Sequence, residues 1–249
     1  MTEPQIRPLW PSPEDTPLTD DGILDAYEMP ALRPLLRLNF VSSVDGSATL
    51  EGRSGTLGST ADKRVFHLLR VVCDAVVVAA GTIRVERYGP DLVAPPLQKM
   101  RRERGRPDHP VLVVVTRRLD LDPEHPLFAE AGTRPVIVTS EATAAESGAR
   151  FAEVADVLGI GGDDVDLTAA TRALAERGLS HLLCEGGPHL LGSLQEADLV
   201  DEFCLTLAPK LVGSGPGRVV AGTPSPVRDL ALGHVLTDGQ ELFLRYVRP

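Results

Sequence analysis

An α/β fold with a mixed, mostly parallel central sheet is predicted by three features of the 249-residue sequence. Short apolar runs recur along it, Val- and Leu-rich and nearly uninterrupted, as expected of strands covered on both faces. Segments with a helical spacing of apolar residues lie between them, the alternation that builds parallel sheets. The chain then closes on Leu230 to Arg248 around the turn-like pair Asp238-Gly239, which reads as an antiparallel hairpin.

Each element has its own justification. Residues 1–33 are acidic, proline-rich and aperiodic, and read as an N-terminal arm lying on a single domain of residues 34–249. Leu35–Val41 is the first apolar run. In Asp62–Val72, Val65, Leu68, Leu69 and Val72 fall at i, i+3, i+4 and i+7, with Ser59 placed to cap the helix. Ala75–Ala80 and Val111–Val115 read as buried strands. Between them, residues 89–110 break the rhythm with five prolines and a basic cluster at Arg101, Arg102, Arg104 and Arg106. A solvated surface excursion is expected there, with a mobile loop over a ligand as the alternative. Val136–Thr139 and Val154–Leu158 continue the sheet. Helix Leu167–Arg177 ends at Gly178, a C′ residue; strand Leu182–Cys184 feeds helix Pro188–Ala197, which opens on a proline. Phe203–Ala208 and Leu242–Val247 complete the strands.

Composition narrows the function. Apolar residues make up 43% and charged residues 24% of the chain, as in ordinary globular domains. The net charge of −10 argues against nucleic acid as a partner, because such binding draws on Lys and Arg at phosphates. No run approaches the ~20 apolar residues that span a bilayer, so no membrane association is expected. The N-terminus has neither the basic nor the apolar region of a secretory signal, and the expected compartment is the cytoplasm. Cys73, Cys184 and Cys204 lack C-x-x-C spacing and the six histidines lack ligand spacing, so no metal site is expected.

Three segments carry chemistry. In the first, strand residues His181 to Cys184 run into Glu185-Gly186-Gly187-Pro188 and then a helix. The glycines allow a tight turn and a close ligand approach. The helix start offers unpaired N–H groups to a phosphate, and Glu185 sits at the strand edge where α/β ligands gather. In the second, Asn39 to Gly46 (NFVSSVDG) delivers small polar side chains and then Asp45, which an Asx turn also explains. In the third, Asp74 to Glu86 ends a buried strand in Gly81-Thr82 and presents Arg84 and Glu86.

The order and spacing of these segments resemble the reductase domain of the bifunctional deaminase–reductase of riboflavin biosynthesis and its stand-alone relatives. Ser43-Val44-Asp45-Gly46, Arg70 to Ala75 with Gly81-Thr82, Glu185-Gly186-Gly187-Pro188-His189-Leu190, Asp201-Glu202 and Ala208-Pro209 carry the likeness, from about Pro34 onward. The resemblance implies a dihydrofolate-reductase-like three-layer α/β fold, a homodimer, NADPH as hydride donor and a phosphorylated 5-amino-6-ribosylaminouracil as substrate. By match to the family motif, Gly81, Thr82, Glu86, Gly186, Gly187 and Pro188 hold the cofactor. Asn39, Ser43, Asp45 and Glu185 face the substrate, with Glu185 or Asp45 orienting or protonating the reacting amine. Thr116 and Arg117, with Arg118, end another strand and could read the 2′-phosphate of NADPH, or could simply be surface residues.

Two departures mark the substrate half. Asn39 replaces a lysine of the bacterial bifunctional enzymes and matches archaeal-like, monofunctional variants. Glu86-Arg87-Tyr88-Gly89-Pro90 replaces an Asp-Asp-Pro stretch. No H-x-E or C-x-x-C deaminase signature is present. Two rival readings follow: a same-fold reductase of a pterin or dihydrofolate-type substrate, and a catalytically silent NADP-binding protein.

Overall fold

A computed structural model describes residues 4–28, 34–86, 88–214 and 217–249. Its strands are β1 (Arg7–Trp10), β2 (Leu35–Ser43), β3 (Ala75–Ala79), β4 (Val111–Val115), β5 (Val136–Thr139), β6 (Asp156–Gly159), β7 (His181–Cys184), β8 (Glu202–Ala208), β9 (Ala231–Thr237) and β10 (Leu242–Val247). Its helices are α1 (Asp20–Tyr27), α2 (Thr60–Leu69), α3 (Ala80–Glu86), α4 (Pro95–Glu103), α5 (Pro126–Ala129), α6 (Glu141–Ser147), α7 (Leu167–Glu176) and α8 (Pro188–Glu196).

The strands form one ten-stranded sheet in the order β1-β9-β10-β8-β2-β7-β3-β4-β5-β6. From β8 through β6 every pairing is parallel; β8-β10, β10-β9 and β9-β1 are antiparallel. This is the mixed sheet with a C-terminal hairpin that the sequence predicts. Alternation along each strand splits the core in two. Val76, Val78 and Leu183 pack toward α1, α2 and α5, while Leu36, Leu38, Val77, Val113 and Cys184 pack toward α7 and α8. The result is three layers.

The N-terminal arm is more than a covering. β1 adds an edge strand to β9, and Ile6, Ile23, Leu24 and Tyr27 are buried in the core under α2. The arm therefore shares the hydrophobic cluster on the α2 side of the sheet with residues of the 34–249 segment.

The 89–110 stretch lies largely at the surface, as expected, but it is an ordered excursion rather than a plain loop. Its two adjacent prolines occupy the first positions of α4, where a missing N–H costs nothing, and nine residues become helix. Arg101 of that helix is 0% exposed. Its guanidinium donates to the carbonyls of Pro107 (2.7 Å), Arg70 (2.5 Å), Val71 (3.2 Å) and Cys73 (2.8 Å), closing the C-terminal end of α2. Arg102, Arg104 and Arg106 pair with Asp108, Asp21 and Asp74. The basic cluster is thus also a clamp: Arg101 is sunk in the core, and the other three arginines each pair with a carboxylate.

Candidate active site

The sheet order sets the carboxyl ends of β7, β3 and β4 side by side. The turn after β7 is laced to β3, because Glu185 N donates to Val77 O (3.0 Å) and Ala79 N to Gly186 O (2.8 Å). Gly186 sits at φ +124°, a region closed to side chains. Gly187 is different: its φ of −95° suits any residue, and its need is for space. A Cβ there would stand 2.8 Å from Thr82 Oγ1. Thr82, in the first turn of α3, therefore leans directly on the bare Cα. Gly187 is the N-cap of α8, whose side-chain-free cap and Pro188 at N1 leave the first N–H groups of the helix without a side-chain partner.

Glu86, at the other end of α3, accepts from Ser54 N (2.8 Å) and Ser54 Oγ (2.9 Å) and so ties the 50–58 loop to the same edge. At the end of β4 the Thr116 hydroxyl accepts from Leu119 N (3.2 Å) and is buried. The Arg117 side chain is exposed, with Asp164 at 4.0 Å. Gly81, Thr82, Gly186, Gly187, Pro188, Thr116 and Arg117 thus share one row of strand ends, with Glu86 one helix away.

The other predicted residues lie beyond β7, on and after β2. Ser43 Oγ donates to the Asp45 carboxylate and receives Ser47 N (2.9 Å). Asp45 Oδ2 also accepts from Val212 N (3.0 Å) and Gly213 N (2.7 Å). The exposed Asp45 therefore staples two loops at the rim. Its pKa is lowered by the Ser43 hydrogen bond and then by the Gly213 amide.

Glu185 faces inward from β7. Arg70 grips it bidentately, Nε and Nη2 each at 2.7 Å, and the Tyr88 hydroxyl adds a third bond at 2.8 Å. The Glu185 side chain is 0% exposed, with Arg70 and Tyr88 as the partners of its carboxylate. Burial raises the Tyr88 pKa well above its ordinary value, and the neighbouring Glu185 charge raises it further. Leu38 pairs with Cys184 across β2 and β7, which sets Asn39 beside Glu185. Asn39 is one of the buried polar residues of β2, at 9% exposure.

Sequence reasoning assigned no role to the α2 residues that roof this space. Asp62, Phe66 and Arg70 fall at i, i+4 and i+8, one stripe of the helix. Asp62 lies near the Thr206 side chain of β8, and its pKa is raised to about 6, chiefly by burial. The Arg70 guanidinium lies 4.5 Å from the centroid of the Phe66 ring. The stripe could have been read from the helical spacing, but the stronger apolar stripe of Val65, Leu68 and Leu69 masked it. Arg87, in the segment that departs from the family pattern, lies outside the described residues.

A row of glycine and hydroxyl residues thus stands at the carboxyl ends of parallel strands, the edge at which α/β sheets gather their ligands. The chain belongs to the RibD C-terminal domain family, whose profile matches residues 34–244. It is 32% identical over 190 residues to the 2,5-diamino-6-ribosylamino-4(3H)-pyrimidinone 5′-phosphate reductase of Methanothermobacter thermautotrophicus, covering 76% of this chain and 84% of that one. The protein of the same name from Archaeoglobus fulgidus is 28% identical over 186 residues, 73% of this chain and 83% of its own. Among solved structures, a pyrimidine reductase-like protein from Corynebacterium diphtheriae superposes with a TM-score of 0.80 at 26% identity, over 92% of this chain and 98% of that one. The dihydrofolate-reductase-like three-layer architecture implied by the motifs is the one observed.

Proposed function

We propose that this protein is an NADPH-dependent reductase of a phosphorylated ribosylaminopyrimidine in riboflavin biosynthesis, acting in the cytoplasm as a homodimer. One observation carries the reading: the bare Gly186-Gly187 turn, laced to β3 and packed under Thr82, opens helix α8 at the row of parallel strand ends, in a chain of this family. The cofactor fits the same turn, since Gly187 caps α8 without a side chain and leaves the first N–H groups of that helix for a pyrophosphate. A bound nicotinamide supplies the hydride that converts the ribosyl C1′ to ribityl.

The chain's own residues do the positioning. Gly186, Gly187, Pro188, Gly81 and Thr82 cradle phosphate, Glu86 holds the 50–58 loop, and Thr116 and Arg117 flank the adenosine end. Asn39 orients the substrate from the floor, while Ser43 and Asp45 fix the rim loops and present a charged carboxylate to the amine. Glu185 is a positioning residue that anchors the glycine turn to α2 through Arg70. Placement of two bound partners accounts for most of the rate in such a transfer. The second copy of the chain covers the apolar side of β8 and β10, where Phe203, Leu205, Leu207, Leu242, Leu244 and Tyr246 are only half-buried.

The test follows loss of nicotinamide absorbance with NADPH and, in turn, the diaminopyrimidinone ribosyl phosphate, the aminouracil ribosyl phosphate and dihydrofolate. Turnover of a ribosyl phosphate supports the proposal. Turnover of dihydrofolate alone favours the pterin-type reading, and NADPH binding without any turnover favours the silent one.

A further inference from the structure

We propose that the cavity at the amino ends of β2 and β7 is a binding site for a small oxyanion of the size of inorganic phosphate or sulfate. Leu35 and His181, which line it, are the first residues of those strands, so it lies at the opposite end of the sheet from the glycine turn. Its chemistry is independent of the reductase reading. The cavity has a volume of about 110 Å³. Pockets for drug-sized ligands start at ~300 Å³, so this one admits an ion rather than a nucleotide or a whole substrate. Its polar walls are Tyr27 and Glu28 at the end of α1, Arg37 of β2, Arg104 and Arg106 beyond α4, and His181 of β7.

Three guanidinium groups around so small a space favour an anion, the more so because their charge is not fully cancelled. Arg37 and Arg245 share one buried carboxylate, that of Glu202, with Arg37 Nε and Arg245 Nη2 each 2.5 Å from it. Two cations on one carboxylate leave one positive charge in excess. The hydrogen bonds of Arg37 to described residues use Nε, toward Glu202, and Nη2, toward Tyr27 O. A guanidinium carries five N–H groups, so Nη1 keeps its donors for a ligand.

Arg106 and His181 form the other side. Arg106 Nη1 pairs with Asp74, and Arg106 Nη2 lies 3.1 Å from His181 Nδ1. Because a guanidinium only donates, His181 Nδ1 is the acceptor and its proton sits on Nε2. Burial pushes the His181 pKa below its ordinary value, which keeps the ring in that neutral form. Arg104 Nη2 is held by Asp21, whose carboxylate is exposed and screened by water, and Glu28 is exposed as well. The site therefore supplies a buried guanidinium, an imidazole N–H and two further arginines from three separate segments of the chain.

The experiment follows the imidazole signals of the full chain by NMR at pH 8 as inorganic phosphate replaces sodium chloride at constant ionic strength. His181 reports on the cavity and His189, beside Pro188, on the glycine turn; His181→Gln and His189→Gln assign the two signals. A saturable shift of His181 is expected, whether or not His189 also moves, and sulfate should produce it too. Arg104→Ala removes a surface guanidinium and leaves the buried triad intact. It should weaken phosphate binding at His181 roughly tenfold, the loss of one charge-assisted contact, with NADPH affinity unchanged. A shift of His189 alone, a shift of neither ring, or wild-type phosphate affinity in Arg104→Ala overturns the assignment.

Discussion

Gly187→Ala separates the two jobs of the glycine turn. At φ −95° the backbone of residue 187 accepts alanine without strain, so the whole perturbation is steric. The new Cβ stands 2.8 Å from Thr82 Oγ1, about half an ångström inside ordinary contact. Thr82 must rotate or the turn must move by a few tenths of an ångström, and a small overpacking of this kind costs about 1 kcal/mol. Gly186→Ala has the opposite balance. Space is available there, with the nearest atom, Thr82 Oγ1, 3.7 Å away, but φ +124° is closed to side chains, at about 1–3 kcal/mol. Urea unfolding should therefore show the larger loss for Gly186→Ala. NADPH affinity by calorimetry should fall roughly ten- to a hundredfold for Gly187→Ala, the value of one displaced charge-assisted hydrogen bond. Thr82→Ala combined with Gly187→Ala should restore stability but not affinity. Wild-type affinity in Gly187→Ala would refute the reasoning, because the phosphate would then rest elsewhere.

Three further outcomes follow from the same geometry. Arg70→Met strands the buried Glu185 carboxylate and should lower stability by about 3–5 kcal/mol in denaturant titration, while Glu185→Gln, which keeps shape, should cost less. Asp62 should make the folded state favour low pH: its pKa of about 6, raised from 3.8 by burial, means stability present below pH 4 and lost by pH 6, up to about 3 kcal/mol. His234 runs the other way, its pKa lowered to about 4 by burial, so its contribution is present above pH 6.5 and lost on acidification. Asp62→Asn should thus be more stable than wild type at pH 8, with the two converging near pH 4; parallel curves would exclude the assignment. Arg117→Ala should lower affinity for NADPH at least tenfold and leave NADH unchanged, and equal wild-type affinities for both nucleotides would remove Arg117 from the site.

The parallel strands were legible because each is a short Val- and Leu-rich run bounded by turn residues, and the hairpin because Asp238-Gly239 marks it. β1 was not, since four residues containing Pro8 become a strand only by pairing with β9, more than two hundred positions away. α4 hid behind Pro95 and Pro96, which read as breakers yet open a helix. Within the site, the glycine turn could be read locally, as its conformation depends on its own residues. The destination of Glu185 could not: its partner Arg70 is 115 positions away, and only the fold brings them together. Asp62 was in view on its helix, but the burial that raises its pKa is set only by the fold.

Transfer of deuterium from the reduced nicotinamide ring tests the central claim most directly. With C4-deuterated NADPH and the diaminopyrimidinone ribosyl phosphate, the account predicts one deuterium at C1′ of a ribityl product, seen by mass and NMR. Consumption of NADPH with no label at C1′, or label delivered to dihydrofolate while the ribosyl phosphate is untouched, would contradict it.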